Sequence, residues 1–140
     1  MHNACLTARV GSKAERFAKA RLKNMGFTNI RSIQNSSKHG LDIIAEHPGH
    51  LSKYFHFEVK GNAAASRIRL GSLQRQFTTG NQYAMNRLVN LQSQNHGLAT
   101  TVLADITGGT HSIRSSIINV YQLGRGRRIS KDVKWMIKSW

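Results

Sequence analysis

Two short apolar runs flank the only proline of this chain, and each run carries one carboxylate. The first is Leu41-Asp42-Ile43-Ile44-Ala45 and the second Tyr54-Phe55-His56-Phe57-Glu58-Val59-Lys60, with the turn His47-Pro48-Gly49-His50 between them. Runs of this length bounded by turn residues read as strands, so Asp42 and Glu58 are expected on neighbouring strands of a hairpin. Side chains two apart on a strand share a face. Glu58 and Lys60 therefore point together, and Val59 points into the other layer. An acid beside an amine is out of place on a buried strand face and fits the rim of a site. The plainer alternative is a cross-strand ion pair on a solvated face.

Carboxylates are scarce here, which gives their positions weight. The chain has six Asp and Glu against 21 Lys and Arg, for a formal net charge of +15. The six are Glu15, Asp42, Glu46, Glu58, Asp105 and Asp132. Such a balance predicts affinity for nucleic acid, an anionic membrane or an acidic protein, and says nothing about fold. A length of 140 residues suits one domain with one real core. The single cysteine, Cys5, rules out an intrachain disulfide. No apolar run approaches the roughly 20 residues of a membrane span. Residues 1–10 lack the apolar stretch of a signal peptide and read as an N-terminal stub.

Residues 11–25 are expected to be helical, because Ala14, Phe17, Ala18, Leu22 and Met25 recur at three- and four-residue spacing. Ser12 with Glu15 three residues later resembles a capping box, which gives Glu15 a purely structural alternative. Gly26 is a helix stop. Strands are expected over 27–34, 41–45, 54–60, 98–106 and 117–123. A helix is expected over 70–91, broken near Gly80, and another over 130–140, capped by Ser130. The predicted order is helix, three strands, helix, two strands, helix. That implies an α/β or α+β layer with a central mixed sheet covered by helices.

Two carboxylates on adjacent strands with backbone carbonyls nearby make a hard oxygen site suited to Mg²⁺ or Mn²⁺. Such an ion neutralises charge that develops on a scissile phosphate. Lys60 is then placed to orient or deprotonate the attacking water, or to neutralise the same charge. Glu15, projecting from the first helix, can hold a second metal or a water on it. His47, His50 and His56 have spacing that suits no common structural zinc site, and Zn²⁺ is the less suitable ion. His39, Arg67, Arg69, Arg75, Arg125, Arg127 and Arg128 are candidates for contacts to phosphate; solvated surface charge is the alternative for each. No glycine-rich phosphate loop or nucleophile elbow is present.

On Glu15, Gly40-Leu41-Asp42 and Glu58-Val59-Lys60, the chain resembles the PD-(D/E)XK nucleases, the restriction-endonuclease-like superfamily. The likeness covers roughly residues 11–91, with 92–140 completing the domain, and Gly-Leu-Asp stands where the superfamily's name has Pro-Asp. Within it the chain looks most like C-terminal toxin domains of bacterial polymorphic toxins of the contact-dependent inhibition, Rhs and type VI effector types. Gly61 after Lys60, and then Leu70-Gly71-Ser72-Leu73-Gln74, carry that narrower likeness. The resemblance implies a restriction-endonuclease-like sheet flanked by helices and a divalent-metal endonuclease. In it Asp42, Glu58 and Glu15 hold the metal, Lys60 serves the water, and Gln74 lines the site. It also implies export within a larger toxin, action in the cytoplasm of a target bacterial cell, and an acidic immunity protein as partner. DNA is slightly favoured over RNA or transfer RNA. A cytoplasmic housekeeping nuclease of the same fold (a Holliday junction resolvase or restriction type) and a non-catalytic nucleic-acid-binding module are the alternatives. Oligomeric state is not legible.

Overall fold

The computed structural model describes residues 2–35, 40–65, 74, 77 and 79–140, and side chains from residue 9 onward. The elements run α1 (His2–Asn24), β1 (Thr28–Gln34), β2 (Gly40–Glu46), β3 (Lys53–Gly61), α2 (Gly80–Ser93), α3 (Gly97–Thr107), β4 (Ser112–Tyr121) and β5 (Lys134–Ser139). They form a mixed α/β structure, a five-stranded mixed sheet in the order β1-β2-β3-β4-β5 flanked by three helices. β1, β2 and β3 form an antiparallel meander, β4 runs parallel to β3, and β5 is antiparallel to β4. The parallel step needs a crossover, and α2 and α3 lie within it.

The sheet is buried on both faces. On one side Ile33, Leu41, Ile44 and Tyr54 meet Tyr83, Leu88 and Leu91 of α2 and Val102 and Leu103 of α3. On the other, Ile43, Phe55, Phe57, Ile118 and Val120 meet Val10, Ala14, Ala18 and Leu22 of α1. β3 therefore shows one layer its even-numbered residues and the other its odd-numbered ones, which is what separates Glu58 from Val59. No helix among the described residues is long and apolar enough to cross a membrane.

Several sequence expectations change. α1 begins at His2, so residues 2–10 are helix where a stub was expected, and Ser12 and Glu15 lie inside the helix, where no capping box can form. Residues 98–106 are helical. His96 caps that helix by accepting the Ala99 amide, and Thr100, Thr101 and Thr107 each donate a hydroxyl to the carbonyl four residues back. Its β-branched residues suggest a strand, but Ala99, Val102 and Leu103 follow helical spacing and face the core. Residues 130–140 contain an edge strand in place of the expected helix; Ser130 Oγ accepts the Asp132 amide in a local turn. Of the expected helix 70–91, α2 starts at Gly80 behind the N-cap Thr79; residues 70–73, 75, 76 and 78 lie outside the described residues.

Candidate functional site

Gly40 opens β2 with a φ of 143°, and a Cβ there would clash with the Ile33 carbonyl oxygen and lie 2.9 Å from Leu91 Cδ1. Only glycine fits that approach. Immediately after it β2 bulges. Ile33 pairs with Leu41 and Arg31 with Ile44, so three steps on β2 oppose two on β1. The bulge explains why Leu41 and Ile43, two residues apart, face opposite cores. Ser32 Oγ donates to the Asp42 carbonyl at 2.6 Å within it.

The Asp42 side chain is thereby aimed at β3. Its Oδ2 accepts the Val59 amide at 2.9 Å and its Oδ1 accepts Gln34 Nε2 at 3.4 Å. Ile43 pairs with Phe57, and one further step of that register sets Asp42 against Glu58. Glu58 is 3 % exposed and shares a hydrogen bond with Asp42 and another with Gln74. Burial, then the Asp42 contact and charge, hold the Glu58 carboxyl well above the usual carboxylate range; Lys60 and Gln74 pull it down in part. Glu58 therefore keeps its proton near neutrality, because a carboxyl out of water beside a second one does not ionise unaided. Half-buried Lys60 projects from the same face of β3.

Tyr83, Arg87, His56 and Ser115 also belong to this layer. Tyr83 of α2 is hydrogen-bonded to Gln74 and Arg87, and burial followed by the Glu58 charge pushes its hydroxyl pKa up. His56 Nδ1 meets Ser115 Oγ at 2.8 Å, and burial lowers the imidazole pKa to about 3. Its Nε2 faces Glu58 Oε2 at 4.0 Å, and neither atom has a hydrogen-bond partner. At that distance, with the imidazole neutral and the carboxyl protonated, the two are not an ion pair. The spacing of His56 from His47 and His50 gives it no role in the sequence, although His56-Phe57-Glu58-Val59-Lys60 puts all three polar residues on one strand face. Beside the hairpin entrance a cleft of about 150 Å³ is lined by Gly40, Arg87, Leu91 and the amides of Asn35, Asn90 and Gln94.

Asp42, Glu58, Lys60 and Gln74 are thus brought together. Glu15, half-buried on α1, does not complete a triad with them: among the described residues no three His, Cys, Asp or Glu side chains cluster as a metal site. Arg125, Arg127 and Arg128 are exposed on the loop after β4. His39, Arg67, Arg69 and Arg75 lie outside the described residues. The donor set suits a divalent cation: two hard carboxylates in contact and one buried, unpartnered oxygen on Glu58. No protein-family model, curated protein or solved structure matches the chain.

Proposed function

We propose that the chain is a divalent-metal-dependent nuclease of the restriction-endonuclease-like kind, with Asp42, Glu58 and Lys60 as its reacting centre. One observation carries this reading. A buried Glu58 carboxyl held against Asp42 of the neighbouring strand costs stability where an apolar residue would fill better, and an amine sits two residues on from Glu58, facing the same way. A protein with only six acidic residues has few to spend on such a contact.

Asp42 and Glu58 would hold Mg²⁺ or Mn²⁺, which when bound would neutralise charge on the scissile phosphate and make a nearby water more acidic. The Val59 amide fixes Asp42 Oδ2. Gln74 orients the Glu58 carboxyl and is itself held by Tyr83. Lys60 holds the attacking water or supplies positive charge as the phosphodiester gains negative charge. The +15 net charge draws the polyanion in. Toxic action in a neighbouring bacterium, after export in a larger polypeptide and with neutralisation by an acidic immunity protein, is the setting we favour on the resemblance of the Gly40-Leu41-Asp42, Glu58-Val59-Lys60 and Gln74 segments.

The test is cleavage of plasmid DNA and, separately, total cellular RNA by purified protein with Mg²⁺, Mn²⁺ or EDTA. The reading requires cation-dependent cleavage of at least one substrate that Asp42→Ala abolishes. Cleavage of neither, or equal cleavage by the variant, removes it.

A further inference from the structure

Arg9, Lys13 and Arg16 stand on one stripe of α1, four and three residues apart. Like charges at this spacing destabilise a helix. Lys13 is nevertheless 2 % exposed. Its ammonium donates to the carbonyls of Leu123 at 3.1 Å, Gly124 at 2.9 Å and Gly126 at 2.8 Å. Those three bonds use all of its N–H groups. Arg9 Nη1 adds a bond to the Arg125 carbonyl at 3.4 Å. Burial, then the Arg16 and Arg9 charges, lower the Lys13 pKa.

The consequence is that the loop after β4 is drawn onto α1, bringing exposed Arg125, Arg127 and Arg128 toward exposed Arg9 and Arg16. A buried ammonium and a crowd of guanidiniums oppose one another. The Arg31–Glu46 ion pair lies elsewhere, between β1 and β2, and does not relieve them. This ridge lies on the α1 side of the sheet at the Gly61 end of β3, and Glu58 and Lys60 precede that end on the opposite side. Gly61 follows Lys60 directly and packs so tightly that a Cβ would meet Ala14 Cβ at 2.6 Å and the Val10 carbonyl at 3.1 Å. The Leu123 and Gly124 amides donate to the Asn62 and Ala63 carbonyls, each at 3.1 Å.

We infer that Arg9, Arg16, Arg125, Arg127 and Arg128 form one phosphate-binding ridge, assembled by Lys13, that holds the backbone of a nucleic-acid strand running off from the carboxylate pair. The inference rests on the nuclease reading for its substrate. Exposed guanidiniums in a row suit a row of phosphates, each of which a planar fork can bind through two parallel N–H groups. Such contacts position a strand and carry no base preference. Lys13 is a positioning residue, since it reaches the nucleic acid only through the loop it pins.

The experiment uses the full chain and a fluorescent oligonucleotide of about 20 nucleotides, with binding in EDTA followed by anisotropy across a salt titration. Cleavage of bis(p-nitrophenyl) phosphate, a diester with no backbone to hold, is measured in parallel with Mn²⁺. Arg9→Gln/Arg16→Gln and Arg127→Gln/Arg128→Gln should each weaken oligonucleotide binding about 10-fold and lower the salt slope by about 2, with cleavage of the small diester unchanged. Lys13→Met should lose as much although it removes one buried charge; if circular dichroism shows that it does not fold, the arginine pairs decide. Wild-type affinity and slope in both arginine pairs overturn the ridge. So does competition by poly-glutamate equal to that by nucleic acid of the same charge, which would mark an acidic-protein surface. If the wild-type chain cuts neither substrate while the arginine pairs still lose binding, the nuclease reading fails and the ridge stands.

Discussion

The Val59 amide donates to Asp42 Oδ2 at 2.9 Å, so the aspartate is tied to the strand that carries Glu58 and Lys60 and meets the Glu58 carboxyl there. This bond turns a bulge in β2 into a site. Without the extra residue, Asp42 would follow the strict alternation of a strand and would not be set by both neighbours. The same arrangement is costly, because it presses one carboxyl against another out of water.

Stability without divalent cation should fall toward alkaline pH. The folded protein binds the Glu58 proton more tightly than the unfolded chain, whose carboxyl titrates near 4.5. The associated stability is full below that pH and is lost as pH rises, with a limiting slope of about 1.4 kcal/mol per pH unit. Urea denaturation in EDTA should show this limb in the wild-type chain, and Glu58→Gln should flatten it and be the more stable protein at pH about 8. An equal slope in the variant would assign the limb to another group.

His56 should act at the other end of the scale. Its pKa drops from 6.5 to about 3 on burial, so its contribution is full above 6.5 and is lost as pH falls toward 3. His56→Asn, which cannot take up the proton, should show a shallower acid limb between those values in the same denaturation series, whatever its stability near neutrality.

Gly40→Ala should destabilise the fold by about 3 kcal/mol or more, since the residue has a φ of 143° and its new methyl would clash with the Ile33 carbonyl oxygen. Chemical denaturation measures this. A cost under about 1 kcal/mol would mean that the entry to β2 rearranges freely.

Gln74→Ala should lower kcat by about 10- to 100-fold, because Gln74 is hydrogen-bonded to Glu58 and Tyr83 and orients them. Gln74→Glu should be worse, as it sets a third carboxyl against the pair. The readout is the single-turnover cleavage rate at saturating protein.

How much of this was legible in the sequence follows from the range of the forces involved. The β2–β3 hairpin with Asp42 and Glu58 rests on local signals: apolar runs, Gly40 and the Pro48 turn. Residues 98–106 read as a strand because Thr100, Thr101 and Val102 favour strands, while burial of Ala99, Val102 and Leu103 at helical spacing makes them a helix. β5 is an edge strand of Lys134, Lys138 and Ser139 with weak apolar alternation, and only pairing with β4 defines it. Lys13 was invisible: its carbonyl partners are 110 to 113 residues away, and an isolated lysine beside a glycine and a serine carries no sign of burial. The bulge at Asp42 likewise depends on its register with β1, which no pattern within β2 records.

The most direct test of the central claim is the single-turnover rate of nucleic-acid cleavage in Asp42→Asn, Glu58→Gln and Lys60→Met, each with its binding affinity measured on the same substrate. The account predicts that all three bind within a few-fold of the wild-type chain and that each loses cleavage by about 10²-fold or more. Cleavage near the wild-type rate in any one of them would remove that residue from the reacting centre, and in Asp42→Asn and Glu58→Gln together would contradict the account.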